Sequence, residues 1–232
     1  MNKNIVLYFI NYNDSYYIPF LHQWYSQFCS KIIMYDNYST DNSVEIANSL
    51  GMIVRSFGIP GMLNDQHYLD IKNHCWKEQR NKGVDYVIVV DADEFVAPSV
   101  HLSCAFPKVK GFNMISETLP INSMSEINIG EPSESYSKRA IFSPDKIQEI
   151  NFVHGCHRNN AIGETNDDYD TCLLYHFRCI GGFERLYNRH LEYQKRMSKF
   201  NRDNNMGHHY LVDRETKLRE WEIMKQNSKE LW

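Results

Sequence analysis

The segment VIVVDADEF, residues 87–95, decides how this chain reads. Its first four residues are continuously apolar, the mark of a strand covered on both faces, and such strands belong to parallel sheets flanked by helices. The apolar run stops at Asp91, and three acids, Asp91, Asp93 and Glu94, fall within four residues. Ligands of open α/β sheets bind beyond the carboxyl ends of the strands, so Asp91 and Asp93 are predicted to project together into a ligand site. Hard divalent cations such as Mn²⁺ and Mg²⁺ take oxygen ligands and bridge carboxylates to diphosphates. Three clustered acids repel one another, and a bound cation is their expected counter-charge. A pair of solvated turn or helix-cap aspartates is the blander account of the same residues.

Towards the N-terminus the same rhythm repeats. Apolar runs at 5–10, 31–35, 52–57 and 84–90 alternate with helical spacing at 18–28, 43–50 and 64–82, with Asp41 as an N-cap candidate. This predicts an α/β fold with a mostly parallel central sheet. Towards the C-terminus, runs at 110–116, 139–143, 149–153 and 171–177 predict mixed strands added to the sheet. Two charged amphipathic helices over 183–200 and 213–231 close the chain. Their apolar faces suit packing on the sheet or on a second subunit of a homodimer, or peripheral contact with a membrane surface.

Composition fits one domain. The 232 residues are 42% hydrophobic and 23% charged, with no Pro/Gly/Ser-rich linker to divide them. We divide the chain into a nucleotide-binding half (1–96), an acceptor half (97–182) and C-terminal helices (183–232). The formal charge of −4 argues against binding nucleic acid by phosphate neutralisation. No apolar run is long enough for a transmembrane segment, and the start, with an apolar stretch of about seven residues, is a poor signal peptide. Six cysteines without CxxC or metal-ligand spacing read as reduced thiols of a cytoplasmic protein.

Two other strand ends carry polar clusters. NYND contributes Asn11, Tyr12, Asn13 and Asp14, and MYDNYSTDNS contributes Asp36 and Asn37 for a base edge or ribose; Ser39, Thr40 and Asp41 read as turn formers. Taken in order, NYND, Gln23-Trp24, MYDNYSTDNS, Gln66, Ile71-Lys72-Asn73 and VDADEF resemble the GT-A glycosyltransferases of family 2 and the related family 92-like group. The resemblance covers about residues 4–96. Asp14 stands where the family has Glu, Gln23 where it has Glu, and Lys72 where it has Arg.

The resemblance implies a GT-A (Rossmann-like) fold and transfer of a sugar from a UDP- or GDP-sugar, with Mn²⁺ or Mg²⁺, to a glycan, lipid-linked sugar or protein acceptor. Asp36 would bond the base, Lys72 and Asn73 would lie near base or diphosphate, and Asp91 and Asp93 would serve ribose, metal and catalysis. Asn11, Tyr12, Asn13, Asn37, Gln66 and Ala92 complete the expected nucleotide-sugar site. LLYHF (173–177) resembles a late family element, so His176 is expected to complete the metal shell with Asp91 and Asp93, ahead of His154 and His157. Metal affinity would then fall as pH drops through the ordinary histidine range near 6.5.

A carboxylate base is required if the transfer inverts; Glu117 and Asp168 are the candidates, with Glu164 and Asp167 beside them. Arg158, Arg178 and Arg185 are candidates for steadying a departing diphosphate. A phosphotransferase or phosphatase of the haloacid dehalogenase type also places DxD after a strand, but expects Thr or Val where Phe95 stands. A non-catalytic carbohydrate-binding protein of the same fold is the other rival.

Overall fold

The fully apolar strands of the first third align side by side, and their register fixes where the polar residues emerge. A computed structural model describes residues 3–165 and 171–232. In chain order come β1 (Ile5–Asn11), α1 (Tyr17–Tyr25), β2 (Cys29–Asp36), α2 (Ser43–Ser49), β3 (Ile53–Ser56), α3 (Asp65–His74) and β4 (Tyr86–Asp91). The strands lie in the order β3-β2-β1-β4, all parallel. Asn11 pairs with Asp36, and Ile10 pairs with Asp91, so the polar ends of three strands share one edge.

At that edge the chain turns a corner. β4 ends at Asp91 and β5 (Glu94–Ala97) begins three residues later in a different sheet, so the Asp-Ala-Asp segment is the hinge between two sheets. The second sheet contains β6 (Lys108–Ser116), β7 (Ile129–Pro132), β11 (Thr171–Ile180) and β12 (Lys229–Glu230), in the order β12-β7-β6-β11-β5. Between them β8 (Ile141–Phe142) closes the edge of β4 antiparallel, while β9 (Ile147–Glu149) and β10 (Ile162–Gly163) form a small hairpin. The fold is thus α/β with a mostly parallel first sheet, as expected. The later strands, however, build a sheet of their own, because β5 pairs antiparallel with β11 and only β8 takes the free edge of β4.

Aromatic residues of α1 hold the two sheets together. Tyr17, Ile18, Leu21 and Tyr25 recur at helical spacing and are fully buried against Phe95 and Phe177. Each such side chain contributes roughly 1.5–3 kcal/mol of burial. Their polar tips reach the backbone of the second sheet: Tyr17 Oη donates to Phe177 O, Tyr25 Oη to Glu94 O, and Trp24 Nε1 to Val96 O, all within 2.9 Å.

Expected boundaries shift where tertiary contacts intervene. The helix predicted over 64–82 ends at His74 and continues as a 3₁₀ turn, Cys75–Gln79. The strand predicted over 149–153 stops at Glu149 because Asn73 clamps the Phe152 backbone from α3, accepting its N–H at 2.7 Å and donating to its carbonyl. The first terminal helix, α4 (Gly182–Arg196), ends where Met197 bridges to Leu63; α5 (Lys199–Asp203) and α6 (Arg214–Asn227) follow. Leu186 of α4 and Trp221 and Met224 of α6 pack on Ile115 of β6, so these helices cover the second sheet. No helix of the described residues is long and apolar enough to cross a membrane. Among the cysteines Cys75, Cys104, Cys156 and Cys172 are buried.

Candidate active site

A crevice opens at the corner between the sheets. It is lined from the strand ends by Asn11, Tyr12, Asp91, Ala92 and Asp93, from α3 by Tyr68 and Lys72, from β11 by His176 and Arg178, and from the C-terminal helices by Tyr193 and Arg196.

The three acids of DADE are neutralised by the protein, each by a cation from a distant element. Lys72 Nζ lies 2.8 Å from Asp91, and Lys138 Nζ lies 2.6 Å from Glu94 in a fully buried pair. Arg189 of α4 binds Asp14 and stands 3.6 Å from Asp93. The inference that mutual repulsion alone calls for a bound cation is therefore corrected. Burial pushes the Asp91 carboxyl up, but Lys72, Lys138 and His176 outweigh it and hold the group down at about 2. The Asp91 side chain is 38% exposed and remains open to the crevice.

Asp93 differs from its neighbours. Its Oδ1 faces His176 Nε2 at 3.7 Å, and both side chains are buried. The imidazole is held on every side. Tyr136 stacks on it at 3.8 Å between ring centres, and Nδ1 lies 3.0 Å from Asn113 Oδ1. An Nδ1–H donated to that oxygen leaves the Nε2 lone pair directed at Asp93, the arrangement by which an outer carbonyl orients a metal-binding imidazole. Gly111 makes the stack possible, because a Cβ there would collide with the Tyr136 backbone. Burial, with Arg178 and Lys138 nearby and only partly opposed by Glu94, drives the His176 pKa down to about 3. The imidazole is therefore neutral throughout the ordinary histidine range, and the expected pH dependence near 6.5 is corrected.

Asp93 and His176 pair a carboxylate oxygen with an imidazole nitrogen, the residue types that would hold a divalent cation. Asp91 is paired with Lys72, and among the described residues no cluster of three His, Cys, Asp or Glu is preassembled for a metal.

Several expected contacts belong to the fold instead. Asp36 is 2% exposed, and its carboxylate accepts from Asn11 Nδ2 (2.8 Å), the Ser39 N–H (2.8 Å) and the Ser39 hydroxyl (2.5 Å). Its oxygens are engaged inside the turn, and it does not line the crevice. Asn37 is buried and donates to the Phe57 and Ile59 carbonyls; Asn13 latches Thr40; Asn73 clamps Phe152; Gln66 bonds Asp70 on the exposed helix surface. None of these five lines the crevice. Glu117 is paired with Lys225 at 2.7 Å on the exterior, and Glu164 with Lys146, so neither is placed as a base. Asp167 and Asp168 lie outside the described residues. His154 and His157 are exposed, and His157 Nδ1 lies 2.8 Å from Ser135 O. Arg158 is also exposed, and Arg185 is spent on Tyr17 Oη and Ile180 O.

Sequence reading missed Asp65, Tyr68, Arg189, Tyr193 and Arg196. Asp65 Oδ1 accepts from Asn201 Nδ2 at 3.0 Å, and the Asp65 N–H donates back to Asn201 Oδ1. The Arg196 guanidinium lies 3.2 Å from the centre of the Tyr12 ring and bonds Gly61 O and Asn37 Oδ1. The i, i+4, i+7 spacing of Arg189, Tyr193 and Arg196 on one helix face was the signal available, and it was absorbed into a general amphipathic pattern.

No protein-family model matches the chain, and no curated protein does. Solved structures of glucosyl-3-phosphoglycerate synthase from Mycobacterium tuberculosis, one with Mn²⁺ and UDP-glucose and one with Mg²⁺ and UDP, are similar to it at a TM-score of 0.31 and 16% sequence identity. The similarity covers 48% of this chain and 44% of theirs, so the chain spans less than half the length of the structures it matches.

Proposed function

We propose that the protein is a GT-A-type glycosyltransferase that transfers a sugar from a UDP- or GDP-sugar, with Mn²⁺ or Mg²⁺ held between Asp93 and His176. The observation that carries this reading is the Asp93–His176 pair, a buried carboxylate facing a neutral imidazole at the corner where β4 leaves its sheet. The cation would supply Lewis-acid stabilisation of charge on the leaving diphosphate.

The chain's own residues position the reactants. Asn113 and Tyr136 fix the imidazole, so no reorientation is required when a donor binds. Lys72 holds Asp91 ionised at the mouth of the crevice, where it can accept from ribose hydroxyls. Tyr12, stacked on Arg196, offers a flat wall for the base. Asp65 is a base candidate better placed than Glu117, which is paired with Lys225 on the exterior, while Asp168 lies outside the described residues. It borders the donor crevice and the adjoining cavity, and Asn201 restrains one of its oxygens.

A thermal-shift series with UDP, GDP and their sugars, with and without Mn²⁺, tests the reading. A ligand at 100 times its Kd stabilises the native state by about 2.7 kcal/mol. One of the nucleotides should raise the Tm only when the metal is present. If no nucleoside diphosphate shifts it under either condition, the protein is not a nucleotide-sugar transferase.

A further inference from the structure

Resting on that reading, we infer that Arg178 binds an oxyanion of the acceptor, so the acceptor is a phosphorylated or carboxylated molecule. Arg178 lies two residues beyond His176 on β11 and lines both the donor crevice and a second cavity on the other side of His176 and Tyr136. It is half-buried, and its guanidinium packs against Tyr193 at 4.6 Å and Tyr210 at 5.3 Å from the ring centres. Among the described residues no carboxylate lies within ion-pairing distance of it, whereas Lys72, Lys138 and Arg189 all have one.

The side-chain ammonium of the second cavity, Lys217, pairs with Glu220 at 2.6 Å, while Asp65 accepts from the Asn201 amide. Arg178 is the cation of this lining left without a carboxylate among the described residues. A cation partly withdrawn from water against a pair of stacked tyrosine rings loses hydration that those rings replace only in part, and an oxyanion bound by its planar fork of donors restores it. The donor diphosphate would have its own counter-charge in a cation held by Asp93 and His176. The second cavity, walled by Leu186, Trp221 and Met224, offers an anionic group the guanidinium of Arg178, beside the paired Lys217 and imidazoles such as those of His154, His208 and His209.

Inorganic phosphate is the probe, titrated by calorimetry into protein saturated with the nucleoside diphosphate found above and Mg²⁺. Phosphate should bind this loaded protein, Arg178→Gln should weaken it at least tenfold, and nucleoside diphosphate affinity should stay within twofold of wild type. Arg178→Lys keeps the charge but loses the bidentate fork, and should bind phosphate several-fold more weakly than wild type even if the Gln variant does not fold. Loss of nucleotide affinity in Arg178→Gln, with phosphate excluded from the loaded protein, would assign the guanidinium to the donor diphosphate and overturn the inference. Equal phosphate affinity in wild type and both variants, or none in wild type, would overturn it too. If wild type takes no nucleoside diphosphate, the transferase reading fails, and phosphate titrated into the unloaded protein still decides Arg178.

Discussion

Two strands that flank β1, β2 and β4, end in an aspartate at the same edge of one sheet, and the two aspartates do opposite work. At the end of β2, Asp36 is closed by its own neighbourhood: Ser39, three residues on, supplies two of its three donors. At the end of β4, Asp91 and Asp93 meet cations and an imidazole brought by α3, α4 and β11, and their oxygens still border the crevice. A carboxylate served by its own turn is a structural device. One served by remote elements sits where several parts of the chain converge, and that is where a ligand can be gripped.

The contrast predicts the largest effect at Asp65, a third acid with a remote partner. Asp65→Asn should lower sugar transfer by about 10²- to 10⁴-fold while nucleoside diphosphate affinity is kept. Turnover within threefold of wild type would show that the base lies elsewhere.

Acid sensitivity should follow His176. Its pKa is near 3 in the fold and about 6.5 when unfolded. Below 6.5 the unfolded chain gains a proton that the native state refuses, so this group's contribution is complete above 6.5 and is lost as pH falls towards 3, at up to about 1.4 kcal/mol per pH unit. Urea unfolding at pH 7 and pH 5.5 should show a steeper loss for wild type than for His176→Asn; parallel losses would contradict a buried neutral imidazole. Asp91, held at about 2, adds to the loss only below about pH 4.

Asp36→Ala should be smaller and purely structural. Three donors lose a buried acceptor, at a cost of about 3 kcal/mol and a Tm lower by roughly 6–12 °C. Its nucleotide affinity should equal that of wild type. A tenfold weaker nucleotide with unchanged Tm would return Asp36 to the base-binding role that the resemblance implied.

The first sheet was legible because its central strands β1 and β4 are almost continuously apolar and its helices repeat at 3.6 residues. The acids after β4 were legible for the same reason: nothing but a strand end explains VIVV followed by DADE. Their partners were not. Lys72, Lys138 and Arg189 reach their partners at the corner from 19 to 96 positions away, and no local pattern announces such pairings. His176 could be chosen because it follows an apolar strand, as a rigid ligand should. The separate second sheet was hidden because three of its five strands, β5, β7 and β12, have only two to four residues, and its pairing is set by the turn at Asp91–Asp93 and by close approaches such as that at Gly111.

The central claim is that the corner of β4, and not the turn after β2, holds the metal and the donor. Calorimetric titration of a nucleoside diphosphate with and without Mn²⁺, for wild type, Asp93→Asn, His176→Ala and Asp36→Asn, tests it directly. Wild type and Asp36→Asn should bind far more tightly with Mn²⁺, and that gain should vanish in Asp93→Asn and His176→Ala while the folded state persists. A Mn²⁺-dependent gain that survives in Asp93→Asn and His176→Ala but is lost in Asp36→Asn would contradict the account.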